Sequence, residues 1–350
     1  MVLGTVDVTV TPLPHTLVAA ATLGMWRVAR PDGASAVVKV LAHTPDAAGN
    51  WPTGGDVDHW GYWRREADAY GSGLLAGLPA GLRAPECHLV AERPDGSVAL
   101  WLEDLPGTPA PAWPLERYEA AARHLGRMQG SYLAGRPLPT DPWLSRGWLR
   151  AYLGQRDVDL AADRALLTDR ALWRHPAVAQ WFPDPPIDAL VALLDDQGRY
   201  LARLDELPTT LSHLDLHPAN LFADGSEGTV AIDWAYIGLA RLGEDPGNLV
   251  PDAAFDFHVA PDDLDRLFAL VAKGYHVGLR GAGADVSADE VLVGMVATMG
   301  AKYGWIVPAL LRAVADDRPL LNRRPLAEGI AAWAPTIDFI LRRTHDLDRS

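Results

Sequence analysis

His213-Leu214-Asp215-Leu216-His217-Pro218-Ala219-Asn220 and, further on, Ile232-Asp233-Trp234 place acids, an amide and two histidines between apolar residues. Such a pattern seldom stabilises a fold by itself, because a buried polar group without a partner costs about 2–7 kcal/mol and an unpaired charge costs more. These two segments are therefore interpreted as the chemical centre of the chain.

The residues between the two segments predict a β-hairpin. Residues 221–232 form two short apolar runs joined by the turn-rich connection Asp224-Gly225-Ser226-Glu227-Gly228. The predicted register sets Asn220 opposite Asp233 at the open end, with Asp215 on the loop before the first strand. Three oxygen-bearing side chains at one loop mouth suit Mg²⁺ shared with a phosphate, with one group left free as a base.

Two other readings of these residues stay open at this point. Asp215 or Asn220 taken alone could be a turn residue whose side chain bonds nearby backbone. His213 and His217 are four residues apart, which is the spacing of a zinc pair on a helix. Pro218 and the alternating leucines argue against a helix here.

Composition excludes several classes of protein. The 350 residues, 49% apolar and 22% charged, are long enough for two domains with sizeable cores. The net charge of −14 argues against a nucleic-acid partner and is compatible with a cationic substrate. A single cysteine, Cys87, cannot form an internal disulfide. With neither a signal sequence nor a membrane span predicted, we expect a cytoplasmic protein without a membrane partner.

The first 105 residues predict a small antiparallel sheet with one helix. Pro-Asp-Gly turns at 31–33 and 94–96 separate apolar runs, as in hairpins. A helix is predicted over about 62–78. Between strands and helix lies an insertion, about 44–61, and Trp51, Trp60 and Trp63 predict that it is either a substrate or nucleotide lid or a packed loop.

Lys39 interrupts the apolar strand Ala36-Val37-Val38-Lys39-Val40-Leu41. An interior ammonium needs an anion, and Glu66 on the following helix is the obvious partner. The alternative is an edge strand from which Lys39 reaches water.

After residues 100–107, which resemble a hinge, the pattern becomes helical. Leu115, Tyr118, Ala122, Leu125, Met128 and Tyr132 recur at three- and four-residue intervals. Ser287-Ala288-Asp289-Glu290 reads as a capping box that starts another helix. The predicted helices after the first are 141–152, 159–182, 187–205, 262–277, 291–314 and 326–344.

This layout resembles the protein kinases, and more closely the aminoglycoside phosphotransferase family of small-molecule kinases. The resemblance rests on the strand lysine, the helix glutamate, the hinge, the His-x-Asp-x₄-Asn segment and the later Asp-Trp pair. It implies an α+β fold of the protein-kinase type with two lobes. Residues 1–105 would be the nucleotide-binding lobe, a small antiparallel sheet with one helix, and residues 106–350 the larger, mostly helical lobe.

The same resemblance implies how the first lobe binds a nucleotide. Lys39 would grip the α- and β-phosphates of ATP or GTP while Glu66 orients it, and the hinge backbone from Glu103 to Leu105 would receive the adenine edge. The usual glycine-rich phosphate loop is missing, and 12–16, Pro-Leu-Pro-His-Thr, stands in its place.

For the second lobe it implies the reaction itself. Asp215 would accept the proton of the attacking hydroxyl, and Asn220 and Asp233 would hold Mg²⁺. His213 would be structural and Trp234 would pack the loop. Asn248 stands where the family usually has an acid.

The expected function is transfer of the γ-phosphate of ATP or GTP to a hydroxyl of a small molecule. An antibiotic-modifying resistance enzyme fits, with an aminoglycoside or nucleoside antibiotic as acceptor, and so does a kinase of sugars, amino sugars or other metabolites. Asp252, Asp256 and Glu290 are candidates to hold a cationic acceptor. A nucleotide-binding module without catalysis and a zinc hydrolase are the alternatives from other classes.

Overall fold

The computed structural model describes residues 3–4, 7–14, 21–44, 53–107, 109–155 and 159–349. An antiparallel sheet forms the N-terminal part and helices dominate the rest, so the predicted α+β fold is confirmed. His15, Thr16 and Trp51, which the sequence singled out, lie outside the described residues.

Five antiparallel strands form the N-terminal sheet in the order β1-β2-β3-β6-β5. Gly33 and Gly96 of the two Pro-Asp-Gly turns have φ values of 91° and 81°, which glycine adopts most easily. The strands of this part are β1 Thr9–Pro12, β2 Thr22–Ala29, β3 Ser35–Leu41, β4 Leu82–Arg83, β5 Cys87–Glu92 and β6 Val98–Glu103.

The helix predicted over 62–78 is shorter in the structure. Helix α1 spans Arg65–Gly71 and is followed by a single 3₁₀ turn at Leu75–Gly77. Gly73, with a φ of 79°, separates the two. The sequence pattern ran across this break because apolar residues continue on both sides of it.

Helices make up most of the C-terminal part, and several of the predicted ones are divided. The single helix expected over 159–182 ends at Asp169, whose side chain caps the next helix, and is interrupted again before Pro176. The helices are α2 Leu115–Leu133, α3 Trp148–Gln155, α4 Leu160–Thr168, α5 Arg170–Trp173, α6 Pro176–Ala179, α7 Ile187–Asp195, α8 Gln197–Asp205, α9 Glu244–Phe255, α10 Leu264–Gly281, α11 Ala288–Lys302, α12 Ile306–Ala315 and α13 Leu326–Arg349.

Small sheets, which the sequence did not predict apart from the hairpin, hold the central segment in place. In one, β11 pairs with β8 antiparallel and with β7 parallel; in another, β10 pairs with β9 antiparallel and with β4 parallel. The strands are β7 Ser145–Arg146, β8 Thr209–Ser212, β9 Leu221–Asp224, β10 Gly228–Ala231, β11 Gly238–Arg241, β12 Leu320–Leu321 and β13 Arg324–Pro325. Ser212 is the register partner of Gly238, so the pairing of β8 with β11 brings the two ends of residues 213–237 together. This segment is called the closed loop.

One long apolar segment, Ala288–Ala315, is part of the core. By length and composition it could cross a membrane, but 83% of its most apolar window is buried inside the protein. The predicted capping box is confirmed: Ser287 and Glu290 bond each other's backbone N–H at the start of α11. The single helix predicted over 291–314 is broken between α11 and α12.

Candidate active site

The hairpin exists, but its register differs by one residue from the predicted one. Leu221 pairs with Ala231, and the N–H of Ile232 donates to the carbonyl of Asn220 at 2.9 Å. The residue opposite Asn220 is therefore Ile232, and Asp233 lies one position farther along. Asp233 has a φ of 60°, so the chain turns sharply here and leaves the strand direction.

Asp245 fixes the loop that carries Asp215. Its fully buried carboxylate accepts hydrogen bonds from the N–H groups of His213 at 2.9 Å and Leu214 at 2.7 Å, and from Gln129 Nε2 at 2.8 Å. These bonds hold Leu214 at a φ of 68°, an uncommon value for a leucine. The sequence did not reveal this role, although Asp245 lies three residues before Asn248, the position where the family that the chain resembles usually has an acid.

His213 is structural, as the resemblance implied. Its Nε2–H donates to the carbonyl of Ile232 at 2.9 Å and its Nδ1 accepts from the N–H of Asp215 at 3.3 Å. Burial lowers the pKa of His213 to about 4, so the ring is neutral. Trp234, fully buried, packs against the ring with centroids 4.5 Å apart. Because both ring nitrogens are engaged, the zinc pair with His217 is wrong.

Asn220 and Asp215 are brought together by direct hydrogen bonds. Asn220 Nδ2 donates to the backbone carbonyl of Asp215 at 2.9 Å and to its carboxylate Oδ2 at 3.3 Å. The side chain of Asp215 keeps 34% of its surface exposed, and His217 Nε2 lies 3.9 Å from it. Burial of the Asp215 carboxylate raises its pKa, whereas the charge of His217 lowers it by a smaller amount. The carboxylate therefore reaches solvent and binds a proton more tightly than an ordinary aspartate does.

Lys39 joins the sheet to the site. Its Nζ lies 2.7 Å from Glu66 Oε2 and 2.9 Å from Asp233 Oδ1, with the Lys39 and Glu66 side chains almost fully buried. Burial alone lowers the pKa of Lys39, but the charges of Asp233 and Glu66 outweigh it and leave that pKa raised. Burial raises the pKa of Asp233, yet the charge of Lys39 outweighs that effect and the net pKa is lowered. The ammonium is thus compensated by two carboxylates.

The edge-strand alternative for Lys39 is wrong. Strand β3 lies between β2 and β6, with Met25 and Leu100 as the two register partners of Lys39. A lysine in a central strand cannot reach water along a free edge, so its charge has to be met inside the protein.

Arg65, next to Glu66, is a buried cation that the sequence analysis did not single out. Its guanidinium donates to four backbone carbonyls, those of Trp143 at 2.7 Å, Trp60 and His59 at 2.8 Å, and Ala235 at 3.2 Å. Burial lowers the pKa of Arg65 to about 10. It ties helix α1 to the residues directly after Asp233. Nothing in Arg64-Arg65-Glu66 distinguishes a buried arginine from an exposed one.

Ion pairs made by Arg83 hold the predicted hinge in place. Arg83 binds the carboxylate of Glu103 at 2.6 Å and that of Asp224 at 2.7 Å. The N–H of Glu103 already donates to the carbonyl of Glu86 at 2.8 Å. The N–H of Glu103 is therefore already engaged within the protein.

The described part of the insertion is a packed loop. Trp60 is 6% exposed and stacks on Tyr236, with ring centroids 5.8 Å apart and an interplanar angle of 7°. Tyr236 follows Asp233 by three residues, so the insertion packs against the site loop. The lid interpretation does not fit Trp60.

The three acids considered for a cationic acceptor all have internal partners. Glu290 belongs to the capping box of α11, and Asp256 accepts from Asn322 Nδ2 at 3.0 Å. Asp252 accepts from Lys302 Nζ at 3.1 Å and from the hydroxyl of Tyr303 at 2.6 Å.

Comparison with solved structures shows the fold. Amicoumacin kinase hAmiN in complex with AMP-PNP, Ca²⁺ and Ami superposes with a TM-score of 0.55 at 15% identity, covering 96% of this chain and 88% of that one. Choline kinase from Cryptosporidium parvum Iowa II gives 0.54 at 14% identity, covering 98% and 90%. A putative aminoglycoside phosphotransferase from Ralstonia eutropha JMP134 gives 0.52 at 13% identity, covering 98% and 94%.

Sequence comparison shows the family. No curated protein matches the chain significantly. The phosphotransferase enzyme family, APH, matches residues 64–283, which is more than half of the chain and includes both segments quoted at the outset. The chain therefore belongs to the phosphotransferase enzyme family and is a small-molecule phosphotransferase with a kinase-like fold.

Proposed function

We propose that this enzyme transfers the γ-phosphate of ATP or GTP, with Mg²⁺, to a hydroxyl group of a small molecule. One observation carries the proposal. Lys39 reaches from the N-terminal sheet to Asp233, while Asp215 is bonded to Asn220 within the same closed loop. A phosphate-binding cation, oxygen ligands for a metal and a partly exposed carboxylate thus occur together.

The nucleotide would lie between residues 1–105, proposed as the nucleotide-binding lobe, and residues 106–350, proposed as the catalytic lobe. Lys39 would bind the α- and β-phosphates while Glu66 keeps it in place. The hinge backbone from Glu103 to Leu105, apart from the Glu103 N–H that donates to Glu86, would bind the base.

The donor set fits a magnesium ion. Asn220 turns its Nδ2 toward Asp215, so its amide oxygen is the atom left for a cation. The lowered pKa of Asp233 keeps that carboxylate ionised. Hard oxygen ligands of this kind suit Mg²⁺, which supplies charge neutralisation on the phosphates when bound.

Asp215 would act as the general base. Its carboxylate accepts the proton of the acceptor hydroxyl as that oxygen forms a bond to the γ-phosphorus, and the bond from phosphorus to the bridging oxygen of the nucleotide breaks. The nucleoside diphosphate leaves with the bonding electrons. A raised pKa brings the base closer to the operating pH, which favours proton transfer.

The acceptor is proposed at the level of class. A hydroxylated antibiotic or a metabolite alcohol fits a site with one base and no acid dedicated to a cation among the three considered. Incubation with ATP or GTP, Mg²⁺ and an acceptor library, read by mass spectrometry, should give a product heavier by one phosphate. Binding of nucleotide without transfer to any alcohol would favour the nucleotide-binding module instead.

A further inference from the structure

Lys302 is a buried cation that the proposed reaction does not use. It is the last residue of α11, where the helix dipole favours a positive charge, and its side chain is 10% exposed. Its Nζ lies 3.1 Å from Asp252 Oδ2. Burial lowers the pKa of Lys302, but the charge of Asp252, with smaller contributions from Tyr152 and Asp215, leaves it raised. The ammonium is therefore permanent at ordinary pH.

Three aromatic rings surround this ammonium. The Nζ of Lys302 lies 5.8 Å from the ring centroid of Trp148, 5.7 Å from that of Tyr152 and 5.2 Å from that of Tyr303. The three residues, called the aromatic box here, are each at most 5% exposed. Aromatic faces at these distances attract a cation, and the attraction grows when water is excluded.

The aromatic box borders the site loop. Trp148 contacts Tyr236 edge to face, with centroids 5.7 Å apart, and Tyr236 is part of the closed loop that carries Asp215 and Asp233. An acceptor hydroxyl at Asp215 would therefore lie beside the aromatic box.

We propose that Lys302 is a specificity-determining residue: its ammonium occupies the aromatic box and neutralises Asp252, so the enzyme selects acceptors whose reacting end is uncharged or anionic. Aromatic faces with one carboxylate would otherwise suit an organic ammonium ion. With the protein's own ammonium in that place, a second cation would meet repulsion and an acid already paired. The selectivity for acceptors rests on the proposed function; the occupancy of the aromatic box does not.

One polar atom of the aromatic box agrees with an oxygen-bearing ligand. Within the described part of the chain, the buried indole Nε1–H of Trp148 has no hydrogen-bond acceptor. A buried donor of this kind is satisfied by a hydroxyl or an anionic oxygen and repels a cation.

The test is binding of tetramethylammonium, followed by calorimetry and tryptophan fluorescence without nucleotide. The wild type should show no saturable binding. Lys302→Ala removes the side chain from among the rings, opens that space and frees Asp252, so it should bind the probe at least ~10-fold more tightly than the wild type. Lys273→Ala, which removes an exposed lysine of α10 paired with Glu119, is the matched control and should behave as the wild type.

Lys302→Ala combined with Asp252→Asn removes both charges and is the second variant in case the single one does not fold. Its affinity should lie between those of the wild type and of Lys302→Ala. A folded variant that binds no better than the wild type would overturn the proposal, and so would saturable binding by the wild type itself. These outcomes hold whether or not phosphate transfer is found. If it is found, Lys302→Ala should shift the ratio of ammonium-bearing to neutral acceptors toward the former.

Discussion

At the scale of single residues, the site depends on a few buried charges that are each met by a specific partner. Lys39 is compensated by Glu66 and Asp233, whereas Arg65 is held by backbone carbonyls. Removing one partner of such a set leaves the other buried without compensation, which costs more than the interaction itself gains. Substitutions at supporting residues should therefore affect both stability and the reaction.

Asp245 offers the clearest case of a supporting residue. Asp245→Ala should lower the free energy of unfolding by about 2–5 kcal/mol, because two backbone N–H groups of the Asp215 loop lose their acceptor. Phosphate transfer should fall with it, since the loop is no longer held. Urea denaturation and turnover measure the two effects.

Two further variants serve as controls for Asp245→Ala. Asp245→Asn retains an acceptor oxygen and should lose less, and the exposed Asp262→Ala should be close to neutral. Equal stability of Asp245→Ala and the wild type would show that the loop is held by other contacts.

At the scale of elements, two helices pack so closely that glycines are required between them. A Cβ at Gly278 of α10 would lie 2.1 Å from the carbonyl oxygen of Arg123 on α2, and one at Gly126 of α2 would lie 2.2 Å from that of Tyr275 on α10. Backbone atoms cannot move aside as a flexible side chain does. Since α2 also carries Gln129, which bonds Asp245, this contact supports the site from behind.

Gly278→Ala should therefore destabilise the protein by about 1–3 kcal/mol or more, despite the better helix propensity of alanine. Thermal and urea unfolding measure this. Gly198→Ala in α8 is the matched control, because no described atom lies within 4 Å of a Cβ built there. It should gain up to about 1 kcal/mol. Similar behaviour of both variants would contradict the close packing of α2 and α10.

Strong local signals made much of the fold predictable. Two Pro-Asp-Gly turns, the apolar stripe of α2 and the capping box at Ser287 each determine an element through neighbouring residues, and each is found. Strand β8, strand β11 and helix α9 were missed, because short strands depend on partners far away in sequence. The long predicted helix over 159–182 failed because apolar periodicity continued across two breaks.

The residues of the site could be predicted from the sequence, but their geometry could be predicted less well. Lys39 and Glu66 could be paired from the sequence because a buried lysine demands an acid. The predicted register of the hairpin was wrong by one residue, because the length of the turn between its two strands cannot be read from their composition. Asp245 and Arg65 act through backbone atoms, and no residue pattern reports such bonds.

At the scale of the whole molecule, three cations from the first 105 residues bind groups in the remainder of the chain. Lys39 lies 2.9 Å from Asp233, and Arg83 lies 2.7 Å from Asp224. Arg65 donates to carbonyls of Trp143 and Ala235. The sheet and the helical part are thus joined through charged groups near the site, so stability should respond to pH.

The buried acid Glu244 should add a pH dependence of its own. Burial raises its pKa to about 7 from 4.5, so the folded state binds its proton more tightly than the unfolded state. Stability from this group is therefore present at low pH and is lost as pH rises from about 4.5 to about 7, by at most about 1.4 kcal/mol per pH unit.

Urea unfolding of the wild type and Glu244→Gln between these pH values isolates the effect. The backbone N–H of Arg241 donates a hydrogen bond to Glu244 Oε1 at 2.7 Å, and the glutamine keeps an oxygen that can accept it. The wild type should lose stability relative to the variant as pH rises, by about 1–3 kcal/mol in total. Parallel pH profiles would contradict a buried, proton-binding Glu244.

The central claim, that Asp215 is the base of a phosphoryl transfer, is tested most directly by Asp215→Asn. The measurement is the rate of phosphate transfer to the best acceptor at saturating nucleotide and Mg²⁺, with Asp262→Asn as the matched control. The account predicts a loss of at least ~100-fold, as for removal of a general base, while nucleotide still raises the melting temperature of the variant. Full transfer activity in folded Asp215→Asn would contradict it.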